Sequence, residues 1–196
     1  MIKIDRVLSP RIQQGDIFRD IDFVQKLETV GDEVLIHQIT FPLVIVLTQD
    51  CDLEQDSEYY INTGDAPSDD DKKLLSVIIA PLYNEELFLQ GEHLNDESIK
   101  YKMRSIKKKK KGNLTTEYRY LIENGIPRYH HLKFDQNDPI VDLVIDFKHY
   151  FTLNIEELMR IKDDRFVGKV SELYRESISQ RFAYFLSRIG LPNMQY

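Results

Sequence analysis

Phe41-Pro42-Leu43-Val44-Ile45-Val46-Leu47-Thr48-Gln49-Asp50-Cys51-Asp52-Leu53 is the stretch whose reading decides the fold. An apolar run dense in β-branched residues stops at polar side chains, so a buried strand over 42–49 is expected to deliver Gln49, Asp50, Cys51 and Asp52 to its own end. Near-continuous apolar character implies burial on both faces and a central place in a sheet. A rigid strand ending in ionisable groups is also a natural place to build a site.

Upstream, Gln14-Gly15-Asp16-Ile17-Phe18 reads as the entry to a first strand, and Gly31-Asp32 as a hairpin turn, so a β-meander leads into the central strand. Downstream, Glu54 to Lys73 is polar and is expected to be a long mobile loop. Leu74 to Leu82 is a second buried strand, the natural partner of 42–49, with Pro81 ending its hydrogen-bonding capacity. Glu85 to Leu89 suggests a short helix stopped near Gly91.

Two alternating runs, Ser98–Ile106 and Tyr118–Ile122, flank Lys107-Lys108-Lys109-Lys110-Lys111-Gly112-Asn113 and describe a β-hairpin with a basic tip. Arg128–Phe134 is a further strand. In Ile140–Phe147 the residues Val141, Leu143, Ile145 and Phe147 form an apolar face, while Asp142 and Asp146 point the other way. The period then becomes helical. Asn154 caps a helix from Ile155, and Ser171 to Ile189 aligns Tyr174, Ile178, Phe182, Phe185, Leu186 and Ile189 before Gly190-Leu191-Pro192 stops it. The expected architecture is one α+β domain over 1–196, mainly β with loops over 1–150 and a helical cap over 151–192. It is a small barrel or strongly bent antiparallel sheet with an inserted basic hairpin and C-terminal helices.

Composition sets bounds on function. With 42% hydrophobic and 30% charged residues the chain is an ordinary globular one, and 26 basic against 33 acidic residues give a charge of −7. That balance excludes a protein coated in nucleic acid over its whole surface, while a local basic patch stays open. A single cysteine excludes an intrachain disulfide and suits a reducing compartment. Residues 1–6 contain no apolar signal core, and no apolar run is long enough for a membrane span, so a cytoplasmic protein without a membrane partner is expected.

Three groups of residues could carry chemistry. Asp50, Cys51 and Asp52 form the first. Flanking carboxylates raise a thiol's pKa and oppose a nucleophilic role. Cys51 and Asp52 could instead join His130 or His131 around zinc, or Cys51 could be a small buried thiol with both aspartates capping the next turn. The second group is Asp142, Asp146 and Lys148, an acid-x-lysine arrangement that could hold magnesium or be merely a solvated strand face. The third is the hairpin: Lys102, Arg104, Lys107, Lys108, Lys109, Lys110, Lys111 and Arg119, interleaved with Tyr101, Tyr118 and Tyr120, offer charge for phosphates and rings for bases. The bland reading is a solubilising tip, and an acidic protein is a further partner for it. Arg181 and Arg188 are expected to pair with Asp142 and Asp146 at the edge of the last helix. No cofactor is required; zinc or magnesium is the metal that these residues would take.

Gly15-Asp16-Ile17-Phe18 followed by Phe41 to Gln49 resembles the opening of the MazF/PemK toxin family. That resemblance covers roughly 13–82 and implies an SH3-like barrel, with 74–81 as the next barrel strand, and endoribonuclease activity. Those toxins carry an arginine before the proline where this chain has Phe41, and the polar residue expected on the next strand has only Ser76 as counterpart. A broader resemblance, in Thr48–Leu53, Ile145–Thr152 and Ser179–Pro192, is to bacterial proteins sharing a Thr/Ser-Gln-x-Cys-Asp-Leu segment and a Ser-Gln-Arg-Phe-Ala-x-Phe helix. It implies a small partner within phage-defence or toxin–antitoxin gene clusters. The expected function is therefore a binding or regulatory module of a multi-component bacterial system, with a protein partner from the same gene cluster and RNA or DNA on the basic hairpin. The alternative is a metal-dependent or MazF-like nuclease.

Overall fold

A computed structural model describes residues 1–61, 70–95, 100–135 and 138–188 of the protein. The loop expected over 62–69, the start of the basic hairpin at 98–99 and the Gly190-Leu191-Pro192 stop lie outside the described residues. In chain order the elements are β1 (Ile4–Asp5), β2 (Asp16–Val30), β3 (Glu33–Val46), α1 (Asp50–Ile61), β4 (Ser76–Asn84), α2 (Glu85–Gln90), β5 (Lys109–Lys110), β6 (Asn113–Leu114), α3 (Thr116–Ile122), β7 (Tyr129–Leu132), β8 (Leu143–Asp146), a 3₁₀ turn (Phe147–His149), β9 (Phe151–Asn154), α4 (Ile155–Arg165), β10 (Phe166–Val170) and α5 (Glu172–Leu186). A strongly curled antiparallel sheet runs β1-β10-β2-β3-β4-β8-β7, with β9 also paired to β4. This half-barrel brings its two ends together where Ile2 N donates to Lys133 O at 2.8 Å and Asp135 N donates to Ile2 O at 3.1 Å.

The apolar run in β3 is explained by a core on each side of it. Val44 and Val46 face one core with Phe18, Ile79 and Val144, covered by Leu53 of α1, Phe88 and Leu89 of α2, and Leu158 of α4. Ile45 and Leu47 face a second core with Ile17, Leu82 and Ile145, closed by Ile178 and Phe182 of α5. Each buried aliphatic contributes roughly 1.5–3 kcal/mol, and a one-residue register slip would exchange the two sets. β3 is central, as its sequence implies, and pairs with β4 through Val44↔Pro81, Ile45↔Ala80 and Val46↔Ile79.

Pro81 does not end β4, which continues to Asn84. Instead the neighbouring strand breaks opposite it. β8 pairs with Leu82–Asn84 and β9 with Ser76–Ile79, and the chain between them leaves the sheet as the 3₁₀ turn. Proline, which brings no N–H, is tolerated in a sheet where a ladder is interrupted. On the other flank, β2 and β3 extend beyond the sheet as a two-stranded ribbon turning at Gly31-Asp32. Leu27, Val34, Leu35 and Ile36 of this ribbon are exposed.

Several expectations need correction. Residues 50–61 form a helix rather than the start of a loop; only Leu53 and Asp56 are buried along the part whose side chains are described, so the segment looks loop-like in composition. Its first turn carries Asp50 and Asp52, which the helix dipole favours. The flanks of the basic segment are not strands. Residues 101–107 form neither strand nor helix, and the return is helix α3, whose N-cap Thr115 accepts a hydrogen bond from Tyr118 N at 3.1 Å. Only Lys109↔Leu114 and Lys110↔Asn113 pair. Asp146 is wholly buried, so its strand is covered on both faces. The C-terminal third contributes β9 and β10 to the sheet besides its two helices.

Candidate functional site

Helix α2 starts where β4 ends because the Asn84 side chain accepts from Glu86 N at 2.8 Å and Leu87 N at 3.2 Å. That cap turns Glu85 inward, against β7 and β8. Glu85 Oε2 lies 3.2 Å from His131 Nε2, Tyr118 OH donates to Glu85 Oε1 at 2.9 Å, and Lys108 Nζ stands 3.1 Å from the same oxygen. The contact to His131, joined by the Tyr118 and Lys108 hydrogen bonds, outweighs burial and holds the Glu85 carboxyl down at about 2. Tyr118 is pushed up to about 12, by burial first and then by Glu85. Asn124 holds the backbone of His131 at two points, accepting from its N–H at 2.6 Å and donating to its carbonyl at 3.2 Å.

Asp142 completes the cluster. Its side chain accepts from Phe134 N at 3.0 Å, and one potential ligand atom each from Glu85, His131 and Asp142 lie within 4.8 Å of one another. Two carboxylates and an imidazole could hold a divalent cation. The site opens into a cleft of about 590 Å³ whose rim includes Glu86, Lys108 and Lys133.

The basic segment passes over this cluster. Tyr101 N donates to Leu94 O, Met103 N to Gly91 O and Ile106 N to Leu89 O, which tie 101–106 to α2 and the turn after it. Gly91 has φ +76°, and a Cβ there would stand 2.3 Å from Met103 O, so only glycine allows the segment this close. At the tip, Lys111 (φ 51°) and Gly112 (φ 86°) make the two-residue turn. Lys107, Lys109, Lys110 and Lys111 are exposed and have no carboxylate partner among the described residues, and the same holds for Lys102 and Arg119. Arg104 pairs with Glu117 at 2.9 Å. Lys108 alone turns inward, bridging Glu85 and Glu86, and its pKa is raised by these contacts.

The strand end at Asp50 is built differently. Arg11 donates to both Asp50 oxygens, at 3.1 and 3.0 Å, Gln14 N donates at 3.1 Å, and Arg175 Nη1 stands 3.3 Å away. Burial opposes ionisation of Asp50, but the Arg11 and Gln14 hydrogen bonds and Arg175 hold its carboxyl below the usual range. Nearby Asp16 is buried and pushed up to about 7. Cys51 and Asp52 are exposed, so the thiol is not a core residue; its Sγ is 3.6 Å from Gln49 Oε1 and 3.7 Å from Asp52 Oδ1. Among the described residues neither joins a group of three potential metal ligands, and His131 has other partners.

Asp142 and Asp146 belong to separate clusters. Arg128 Nε donates to Asp146 at 2.8 Å, its Nη2 makes a second bond, and His149 Nε2 lies 3.6 Å away. Asp146 is thus committed to an arginine, while the Lys148 side chain is exposed and only its backbone N–H bonds to Asp146. Both strand histidines are buried. His130 is held at about 3, by burial first and then by Arg181 and His131, and its Nδ1 has no partner among the described residues. Arg181 donates to the carbonyls of Ile126 and Tyr129, and Arg188 to that of Phe185, so neither pairs with the aspartates.

Sequence reading passed over Glu85, Arg128 and His149. A signal existed for Glu85: Asn84-Glu85-Glu86 follows an apolar strand just as Gln49-Asp50 does. Neither a family model nor a curated protein matches the chain. Among the described residues no helix is long and apolar enough to cross a membrane.

Proposed function

We propose that this protein is a nucleic-acid-binding module of a multi-component bacterial system, with Lys102, Lys107, Lys109, Lys110, Lys111 and Arg119 as its phosphate contacts. The observation that carries this reading is the set of exposed cations, unpaired among the described residues, on one segment of a chain whose net charge is −7. Such a patch on an otherwise acidic chain offers a polyanion the gain of counterion release. Fluorescence anisotropy with labelled single-stranded RNA and DNA tests it. Binding should weaken steeply with salt, and changing Lys107, Lys109, Lys110 and Lys111 together to Gln should reduce the log–log salt slope by about 3. Absence of binding at low salt, or an unchanged slope, would refute it.

The Glu85–His131–Asp142 group favours a second reading, a metal-dependent nuclease in which the basic segment delivers the strand to the cleft. Against it stands Lys108, whose ammonium already neutralises Glu85. A MazF-type cleavage would lack its arginine, because Phe41 is part of the core. Incubation with RNA and DNA, with and without magnesium or zinc, decides; cleavage abolished in Glu85→Gln would establish the second reading.

A further inference from the structure

The break in the sheet opposite Pro81 opens a second cavity, of about 330 Å³, between the base of the ribbon and the 3₁₀ turn. Its inner wall is aromatic. Phe23 and Phe41 pack on Phe151 with ring centroids at 4.9 and 5.5 Å, and Tyr83 meets Phe41 edge-on at 6.4 Å. A β-bulge between Val24 and Lys26 turns Gln25 towards the cavity, and the 3₁₀ turn adds the His149 ring to its wall, with Nδ1 3.0 Å from Tyr83 OH and Nε2 3.6 Å from Asp146. At the mouth stand Tyr101, 56% exposed, and Tyr150, 41% exposed.

Charge identifies the occupant. Among the described residues no carboxylate lines the cavity, and its one ammonium group is the exposed Lys148. Tyr101 and Met103 line it from the segment that carries Lys102 and then runs to the unpaired lysines 107 and 109–111. A cavity of flat rings with a side-chain amide at its edge and a cationic rim continuing into a lysine track has the character of a stacking platform beside a phosphate path. We infer that this cavity receives one unpaired nucleobase of a single-stranded nucleic acid, stacked against Tyr101 and Tyr150, with its flanking phosphates at Lys148 and Lys102. The inference rests on the nucleic-acid reading above and adds a base-binding site to it.

Affinity of the whole chain for a single strand of about 10 nucleotides is compared with affinity for an abasic strand of the same length. The base-bearing strand should bind roughly 10-fold more tightly. Tyr101→Ala and Tyr150→Ala, at exposed positions, should each remove most of that difference, and Tyr101→Phe should keep it; thermal melts confirm that the variants fold. The four-lysine variant should weaken both strands alike. Equal affinity for the two strands, or a preference that survives both alanine variants, overturns the base site and leaves phosphate binding standing. Failure of both strands to bind overturns the nucleic-acid reading and the site together. Saturable uptake of N-acetyltryptophanamide that neither strand displaces would reassign the cavity to a protein side chain and equally overturn the inference.

Discussion

Asp50 and Glu85 occupy equivalent places: each is the first residue of a helix that follows a central strand, and each carboxyl is held below its ordinary range. Their partners differ in kind. Asp50 is surrounded by two arginines from distant segments, Arg11 and Arg175, plus a backbone N–H. Permanent cations on a shared carboxylate fasten the N-terminal segment, α1 and α5 together. Glu85 faces His131, Tyr118 and Lys108, the last from an exposed basic segment. One strand end is a staple and the other is the floor of a cleft. The same polar punctuation after an apolar strand therefore serves two purposes, and the partners from elsewhere in the chain decide which.

Breaking the staple should have the largest effect on stability. Asp50→Ala leaves Arg11 and Arg175 facing one another and should cost about 2 kcal/mol in chemical denaturation, while oligonucleotide affinity of the folded protein stays unchanged. A loss of affinity without a loss of stability would invert the assignment. Glu85→Gln should cost less, roughly 1–2 kcal/mol at neutral pH, and its effect should depend on pH. The folded pKa of Glu85, about 2, lies below the ordinary 4.5. Its stabilisation is therefore complete above about pH 4.5 and lost as pH falls towards 2. Melts at pH 6 and pH 3 should show the wild-type advantage shrinking, whereas a constant gap would mean that the charge of Glu85 contributes nothing. Smallest of all, Cys51→Ser should change stability by no more than about 0.5 kcal/mol, and the native thiol should react with iodoacetamide, since its side chain is exposed.

The central sheet was legible because local signals and burial agree there: the runs 42–49 and 74–82, the Gly31-Asp32 turn and the Asn154 cap mark elements without help from distant residues, although β3 ends at Val46 and β4 starts at Ser76. What failed were places where a distant partner decides. The alternating run 101–106 has strand character but no strand beside it, because Gly91 and Leu89 take its N–H groups. Thr115-Thr116-Glu117 carries a helix start that the alternation of Tyr118 and Tyr120 just after it concealed. Asp146 reads as a solvated residue until Arg128, 18 residues away, is folded against it. The hairpin around Gly31-Asp32 was legible, but not that it leaves Val34, Leu35 and Ile36 exposed, since nothing in their own period shows that the sheet ends before them. Of the candidate site, the lysines and His131 were visible as residue types. The meeting of Lys108 and His131 at Glu85 was not, because it depends on an N-cap and a chain path.

Hydrogen–deuterium exchange of the whole chain, with and without a single-stranded oligonucleotide at saturating concentration, tests most directly which strand end is the working one. The account predicts new protection over 101–122 and 129–135 and none over 11–16, 50–56 and 172–178. Protection at the Asp50 end, with the basic segment unaffected, would contradict it.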